Sequence, residues 1–424
     1  MGLITNAPRG TNDVLPADVY KWHYIEQIMK EIVQCYGFKE IRTPTFEHTC
    51  LFQRGVGDDT DIVQKEMYTF EDKSNRSITL RPEGTAGVIR AAIEHGLVNA
   101  ALPQKLYYFT NCFRYEKPQS GRLREFHQFG VELLGAMSPA SDAEIILLCK
   151  CLITKLGIKA ELQLNSIGCP TCRAEYLNAL REYYADKKES LCPMCLTRLE
   201  RNPMRLLDCK NSNCKSLLVD KTPKIISYFC GECHEGFEKT KAFLDTAKVE
   251  YTLNPRLVRG LDYYTNTVFE FIVHDIGAQG TICAGGRYNG LVAALGGPKT
   301  CGIGFAMGLE RIILTMTARN CSFGECKPCE VYIASMDEKS HEKAFELTKS
   351  LRDGGMWAEC DLAGRALNAQ LKYADKIGAR FSIILGTNEL ETNTAFIKNK
   401  QGAKTQITLN ESFLQQVQTA VSSS

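Results

Sequence analysis

Apolar residues recur at helical spacing over residues 19–36 (Val19, Trp22, Ile25, Met29, Ile32, Tyr36), which predicts an amphipathic helix stopped by Gly37. FKEIRTPTFE follows as a strand interrupted at Pro44, and a proline inside a strand belongs at a sheet edge or an interface. Between residues 78 and 135 the period shortens to two in SITLRP, KLYYFTNCFRYE and REFHQFGVELLG; such close runs predict an antiparallel sheet. Helical spacing returns over residues 141–156. At Gly168 the texture changes to charged helical stretches and cysteine pairs, and strand alternation resumes near Leu253. Beyond a linker at Cys321–Pro328, the order is EVYIAS, a helix over 341–353, MWAEC, a helix over 364–378 and FSIILG. That βαβαβ order predicts a separate α/β domain with a largely parallel sheet.

The predicted fold class is therefore an α+β domain built on an antiparallel sheet, a mainly helical cysteine-rich insertion, and a C-terminal α/β domain. The boundaries expected are 1–168 with 245–322 for the split domain, 169–244 for the insertion, 323–328 for the linker and 329–424 for the last domain. A chain of 424 residues is long enough for that number of cores. Charge adds little: 51 basic against 49 acidic residues leave +2, so any polyanion site is local rather than a global field. MGLITNAPRG has no apolar leader segment and no run approaches membrane-spanning length, which predicts a cytoplasmic protein with no membrane contact.

Four polar clusters interrupt the split domain. TLRPEGT sets Arg81, Glu83 and Thr85 at alternate positions near a strand end, where period two would aim them at one face. A carboxylate and a hydroxyl there suit an ammonium group. In FRYEKPQSGRLREFHQFGVE two strands flank a basic loop, Lys117–Arg122. The loop alone is equally a solvated hairpin that keeps a sheet edge soluble. Gln128, Gly130 and Glu132 share one strand face, however, and a Gln and a Glu facing a core need a ligand or partner. In GGRYNG and GIGFAMGLERI, the glycines at 302, 304 and 308 would flatten a strand so that a planar ring can approach the backbone, with Arg311 early on the next helix. Neither a phosphate-cradling G-x-x-x-x-G-K-[ST] loop nor a G-x-G-x-x-G fingerprint is present. LVRGLDYY places Arg259, Asp262, Tyr263 and Tyr264 at the head of a strand. Alone it reads as an edge Arg–Asp pair with two half-buried tyrosines.

Nineteen cysteines are present, and eight of them fall between residues 169 and 233. Cys169/Cys172, Cys192/Cys195 and Cys230/Cys233 are C-x-x-C pairs, and Cys209/Cys214 is a C-x4-C pair. Together they supply ligands for up to two tetrahedral zinc sites. Buried apolar thiols are the alternative; three tight pairs in one short stretch favour metal. Four thiolates leave no open position, so such zinc would be structural. Cys321, Cys326 and Cys329 are one ligand short and read as linker cysteines. In the last domain, Lys372, Lys376 and Arg380 lie four apart on a predicted helix, which is also what a solvated helix face looks like.

Taken together, in order and over nearly the whole chain, these segments resemble the histidyl-tRNA synthetase family of class II aminoacyl-tRNA synthetases. Arg9–Pro44 resembles the first class motif, FRYE with its returning strand the second, and GIGFAMGLER the third. TLRPEGT, LVRGLDYY and AGGRYNG resemble the histidine-specific segments. The resemblance implies an ATP-dependent histidine–tRNA ligase that makes histidyl-adenylate with Mg2+ and then charges histidine tRNA as a homodimer. It implies that Glu83, Thr85 and Gln128 hold the ammonium end of histidine, with Glu132 and Tyr264 at the imidazole and Tyr263 beside it. Arg114 and Arg259 would be the catalytic cations at the carboxylate and α-phosphate. Glu116 would read the adenine amino group, Arg311 would take the far phosphates, and Gln119 would touch the tRNA 5′ end. The C-terminal domain would bind the anticodon, and Lys372, Lys376 and Arg380 on it would be tRNA contacts that are not assigned to particular bases. The zinc reading rests on spacing and not on the resemblance. A histidine-binding regulatory paralogue of histidine biosynthesis is the alternative, but such proteins typically lack the insertion and the last domain. A stress-sensing kinase is excluded by the lack of kinase segments.

Overall fold

The computed structural model describes residues 4–57, 60–219, 221–274, 280–324 and 327–423. Its contacts divide the chain into two units, Met1–Phe323 and Gly324–Ser424.

In the first unit, α1 (Val19–Cys35) buries Ile25, Met29, Ile32 and Val33, the stripe expected from its periodicity. The stretch after Gly37 is not one interrupted strand. β1 (Lys39–Glu40) runs parallel to an edge of the main sheet, whereas β2 (Phe46–His48) joins a three-stranded sheet with β3 (Tyr68–Glu71) and β4 (Ser77–Leu80). Pro44 lies between them, where no ladder needs its missing N–H. α2 (Thr49–Val56) and α3 (Thr85–Glu94) pack beside this small sheet. Next come β5 (Gln104–Phe113) and β6 (Glu125–Leu134), the long hairpin expected from the alternating runs. α4 (Pro139–Lys155) starts at Ser138, whose hydroxyl accepts from the Ala140 amide.

β7 (Glu161–Ser166) leads into the cysteine-rich stretch, which holds α5 (Pro170–Tyr184), α6 (Pro193–Arg201), the short α7 (Ser212–Ser216) and α8 (Gly231–Thr246). The chain re-enters the sheet with β8 (Thr252–Leu253), β9 (Thr265–Ile272) and β10 (Thr281–Arg287). A single-turn α9 (Leu291–Ala294), β11 (Gly302–Gly308) and α10 (Leu309–Ala318) follow. The main sheet has eight strands in the order β1-β5-β6-β11-β10-β9-β7-β8, antiparallel except for the two edge pairings.

The two faces of that sheet differ. On one, Phe129, Val131 and Leu133 of β6, Ile303 and Phe305 of β11, and Phe269 and Phe271 of β9 pack with residues of α1 and α4 into a continuous core. On the other, the cross-strand neighbours of Gln128, Gly130 and Glu132 are Gly308, Ala306 and Gly304, and those of the last two on β10 are Ala284 and Gly286. A carpet of small residues leaves room above the sheet, and the polar residues of β6 look into it.

The second unit carries β12 (Val331–Ser335), α11 (Glu338–Asp353), β13 (Ala358–Cys360), α12 (Leu367–Lys376) and β14 (Phe381–Leu385), with β13-β12-β14 parallel as expected. The short α13 (Thr387–Thr392), an antiparallel hairpin of β15 (Thr394–Asn399) and β16 (Lys404–Thr408), and α14 (Phe413–Ser422) complete it, all beyond the predicted pattern. Cys329 is no linker residue: it is wholly buried among Tyr332, Ala374 and Ala379 in the core of this unit. Cys326 lies outside the described residues.

Candidate active site

Above the small-residue carpet lies a cavity of about 600 Å3. Glu83, Thr85, Arg114, Glu116, Gln128, Glu132, Arg259, Tyr263, Tyr264 and Arg311 all line it, although they come from segments spread over more than half of the first unit. Each cluster reaches the cavity by a different local route.

TLRPEGT does not continue as a strand. β4 ends at Leu80, and Thr85 opens α3, so Arg81 and Glu83 are not aimed by strand period. Arg81 turns away to the carbonyls of Thr43, Pro44 and Asn111, a structural role that ties β4 to the hairpin. Glu83 accepts from the amides of Thr85 (2.8 Å) and Ala86 (2.7 Å) at the start of α3. Unpaired amides at a helix start favour a carboxylate there. Burial nevertheless raises its pKa, so a cation brought beside it would be welcome.

Glu132 is 1% exposed on the cavity face of β6. Its carboxylate accepts from the hydroxyls of Tyr288 and Tyr108, the latter at 3.2 Å. Burial outweighs those bonds and pushes its pKa up to about 8. Tyr288 and Tyr108 were not singled out from sequence, although GGRYNG contains the first. The glycines explain the arrangement. A Cβ at Gly302 would strike the Tyr288 ring, one at Gly304 the Glu132 carboxylate, and one at Gly130 the Tyr108 ring. So Gly302 and Gly304 make room for protein side chains, not for a ligand ring as expected; at Gly308 alone of the three would a Cβ meet no clash, its nearest neighbour being the Arg311 side chain at 3.9 Å. Tyr264 is buried beside Tyr263, ring centroids 4.7 Å apart, and Tyr263 in turn meets Tyr288 at 5.8 Å. Gln128 is half-buried and accepts from the Cys112 thiol at 3.3 Å.

Cations line the remainder. Arg259 pairs with Glu270, and its Nε is buried with no hydrogen-bond partner. It does not pair with Asp262, as an edge ion pair would require; Asp262 bonds Arg205 instead. Arg114 is held by the Pro82 carbonyl (2.8 Å) and lies 5.3 Å from the centroid of the Phe126 ring. Glu116 is buried and pairs with Arg122, a loop residue not given a role from sequence. Arg311 on α10 donates to the carbonyls of Gly121 (2.9 Å) and Thr281 (2.8 Å); burial, then Arg122 and Arg114 nearby, lower its pKa. Glu270 and Glu310 also line the cavity. The lining thus combines hydrogen-bonding groups among aromatic rings with several arginines beside carboxylates, and the two sets meet where Arg259 lies 5.7 Å from the Tyr264 ring centroid. That combination suits a small polar ring joined to a phosphate chain.

Some predicted residues do not converge there. Gln119 is exposed at the tip of the β5–β6 loop, where its backbone pairs with Arg122. Lys372 and Lys376 are exposed on α12, but the helix ends at Lys376 and Gly378 (φ 73°) turns the chain. Arg380 therefore lies outside the helical stripe drawn from its spacing, and its guanidinium sits 5.7 Å from the Phe381 ring centroid.

The eight cysteines form two groups, Cys169/Cys172/Cys230/Cys233 and Cys192/Cys195/Cys209/Cys214, with the sulfurs of each within 4.8 Å of one another. Zinc–thiolate bonds of about 2.3 Å in a tetrahedron put sulfurs about 3.8 Å apart. The Sγ pairs Cys169–Cys172 and Cys192–Cys209 stand at 3.5 and 3.9 Å. Backbone amides of Cys230 and Cys192 donate to Cys172 and Cys214 sulfurs at 3.0 and 3.3 Å, as anionic thiolates need. The donor set fits zinc.

The chain matches known proteins over nearly its whole length. The family model described as histidyl-tRNA synthetase matches residues 10–187 and 218–312, and one described as an anticodon binding domain matches 330–418. The chain is 52% identical over 410 residues to a histidine--tRNA ligase of Acetivibrio thermocellus, covering 96% of this chain and 98% of that one. It is equally 52% identical to a histidine--tRNA ligase of Clostridium novyi over 406 residues, 95% and 96% of the two chains. Its structure is similar to that of the apo histidyl-tRNA synthetase of S. aureus, with a TM-score of 0.83, 38% identity and coverage of 98% and 100%.

Proposed function

Because the chain belongs to the histidyl-tRNA synthetase family, we propose a reading of its cavity in which every step of histidine activation is assigned to named residues. The protein is an ATP-dependent ligase that joins histidine to tRNA. The observation that carries the assignment is that residues from four distant segments line one cavity, polar–aromatic at Glu132 and Tyr264, cationic at Arg114, Arg259 and Arg311.

Glu132 and Tyr264 receive the two imidazole nitrogens, with Tyr263 closing the wall, while Glu83, Thr85 and Gln128 take the ammonium group. A histidine carboxylate oxygen then attacks the α-phosphorus of ATP, the bond to the bridging oxygen breaks, and pyrophosphate leaves. Charge builds on the phosphoryl oxygens, and positioned cations serve that step better than a protein nucleophile. Arg259 brings a buried, unpartnered Nε, and Arg114, held by the Pro82 carbonyl, comes from a separate segment. Glu116 reads the adenine amino group and Arg311 the far phosphates. Mg2+ favours oxygen ligands and phosphates; Glu270 and Glu310 would hold it, and it would neutralise phosphate charge. In the second half-reaction the tRNA 3′ end attacks the activated carboxyl and AMP departs.

The same reading divides the chain into a catalytic domain (1–168 and 245–322), an insertion (169–244) held by two structural zinc ions on the eight cysteines, a linker (323–328) and an anticodon-binding domain (329–424). Gln119, Lys372, Lys376 and Arg380 contact tRNA. Exposed Val14, Leu15 and Phe46 near the first class motif support a homodimer. No helix among the described residues is long and apolar enough to cross a membrane, and we place the protein in the cytoplasm. Histidine-dependent exchange of pyrophosphate into ATP, followed by charging of histidine tRNA, tests the reading. Folded protein that binds histidine without exchange would return the regulatory alternative, which no observation favours now.

A further inference from the structure

The family-model match breaks off between residues 187 and 218, and that gap contains Cys192, Cys195, Cys209 and Cys214. What this stretch touches is informative. Between Cys195 and Cys209 the chain forms the end of α6 and a 3-10 turn, Pro203–Asp208. Arg205 on that turn is buried and donates from Nη2 to the Gly260 carbonyl (2.9 Å) and the Asp262 carboxylate (3.0 Å). Asn202 reaches the same carboxylate oxygen at 3.2 Å. Gly260 directly follows Arg259.

The other thiolate group holds the far end of the same segment. Arg173, one residue beyond Cys172, donates to the Tyr264 carbonyl at 3.1 Å. The Asn266 side-chain amide reaches the Cys233 sulfur at 3.4 Å. The backbone of Asn266, at φ 51°, also exchanges hydrogen bonds with Gly168 and Ile167. The stretch 257–266 is therefore fastened at Gly260 and Asp262 by one cysteine group and at Tyr264 and Asn266 by the other, beside Arg259 and Tyr264, which line the cavity.

We propose that the two four-thiolate zinc sites clamp the segment Leu257–Asn266 at two points, its middle and its C-terminal end, with Arg205 and Arg173 as positioning residues for Arg259 and Tyr264. The insertion has an apolar core of its own, with Tyr176, Leu180, Leu199, Met204 and Leu206 buried in it, and within that frame four bonds to one ion fix the turn that carries Arg205 and the start of α5 that carries Arg173. The arginine then transmits that order to a backbone carbonyl next to a residue that touches substrate. The proposal rests on the assignment of Arg259 and Tyr264 above and adds a metal dependence to it.

Elemental analysis of the intact protein comes first, with two zinc ions per chain expected; none in folded protein prepared without oxidation overturns the clamp. Cys209→Ser and Cys169→Ser are each expected to hold one zinc and to lose histidine-dependent pyrophosphate exchange on the order of 10- to 100-fold, the usual cost of disturbing groups that orient a site. Full activity with one zinc lost also overturns it. Arg205→Met and Arg173→Met leave all thiolates in place, so they test the idea even where the serine variants do not fold. Both should keep two zinc ions. Arg205→Met should lower kcat at nearly constant KM for histidine, since it acts beside Arg259. Arg173→Met should mainly raise KM for histidine, since it acts beside Tyr264, and Arg205→Lys should recover part of the loss. Adding Arg205→Met to Cys209→Ser should cost nothing further, because both release the same contact. Additive losses, or kcat and KM moving alike in both arginine variants, would mean a merely structural module. Absence of exchange in the wild-type protein bears on the proposed function, whereas zinc content and the ratios between variants bear on the clamp.

Discussion

At the scale of single residues, two charges carry opposite burdens. Glu132 is a carboxylate in a dry, aromatic place, and its pKa near 8 means that the folded protein holds a proton the unfolded chain releases near pH 4.5. The folded state therefore loses stability from this group as pH rises from 4.5 to about 8. Glu132→Gln cannot ionise, so its melting temperature should gain on the wild type progressively from pH 5 to pH 8 while histidine affinity falls. An equal difference at both pH values in a thermal melt would refute this. Arg259 is the converse case: it is half-buried and already paired to Glu270, so the cost of placing the cation is met before ATP arrives. Arg259→Ala should reduce pyrophosphate exchange by about 100-fold or more, the scale for one oxyanion donor. Histidine binding by calorimetry should change little; its loss would mean the roles of Arg259 and Tyr264 are wrongly divided.

At the scale of elements, strand pairing converts a row of small residues into a binding floor. Gly304 faces Glu132 across the ladder, and a Cβ there would press on both the Glu132 carboxylate and the Val131 carbonyl. Gly304→Ala should cost about 1–3 kcal/mol by overpacking, read from denaturant unfolding, and should weaken histidine binding by displacing Glu132. Unchanged affinity would show that the carboxylate is not held by this floor. Helix starts matter in the same way. Glu83 sits where the free amides of α3 converge, an arrangement that strand alternation drawn through TLRPEGT misplaced because Pro82 and Gly84 break the strand. The Lys372–Arg380 stripe expected from spacing fails for a related reason, since the helix ends at Lys376 and Gly378 turns the chain before the third cation.

At the scale of the whole molecule, each unit closes its own hydrophobic core, one around α1, α4 and the main sheet, the other around β12, β14 and α14. A chain ending at residue 323 should thus remain folded and keep histidine-dependent pyrophosphate exchange, while charging of tRNA falls sharply. Loss of exchange in that truncated protein, measured alongside its far-UV circular dichroism, would show that the first unit depends on the second. The long alternating and helical runs made the architecture legible along the chain, because burying one face imposes a period of two or 3.6 on any sequence that does so. The cavity residues were legible too, because their types and order match the motifs of a family. The pairing of eight cysteines into two groups, the tyrosines that grip Glu132, the diversion of Arg81 to backbone carbonyls and the hold of Arg205 on Gly260 left no such trace. Each depends on contacts between residues far apart in the chain, and spacing carries no information about which distant partner completes a site; that is settled by the way the sheet and the insertion fold onto one another.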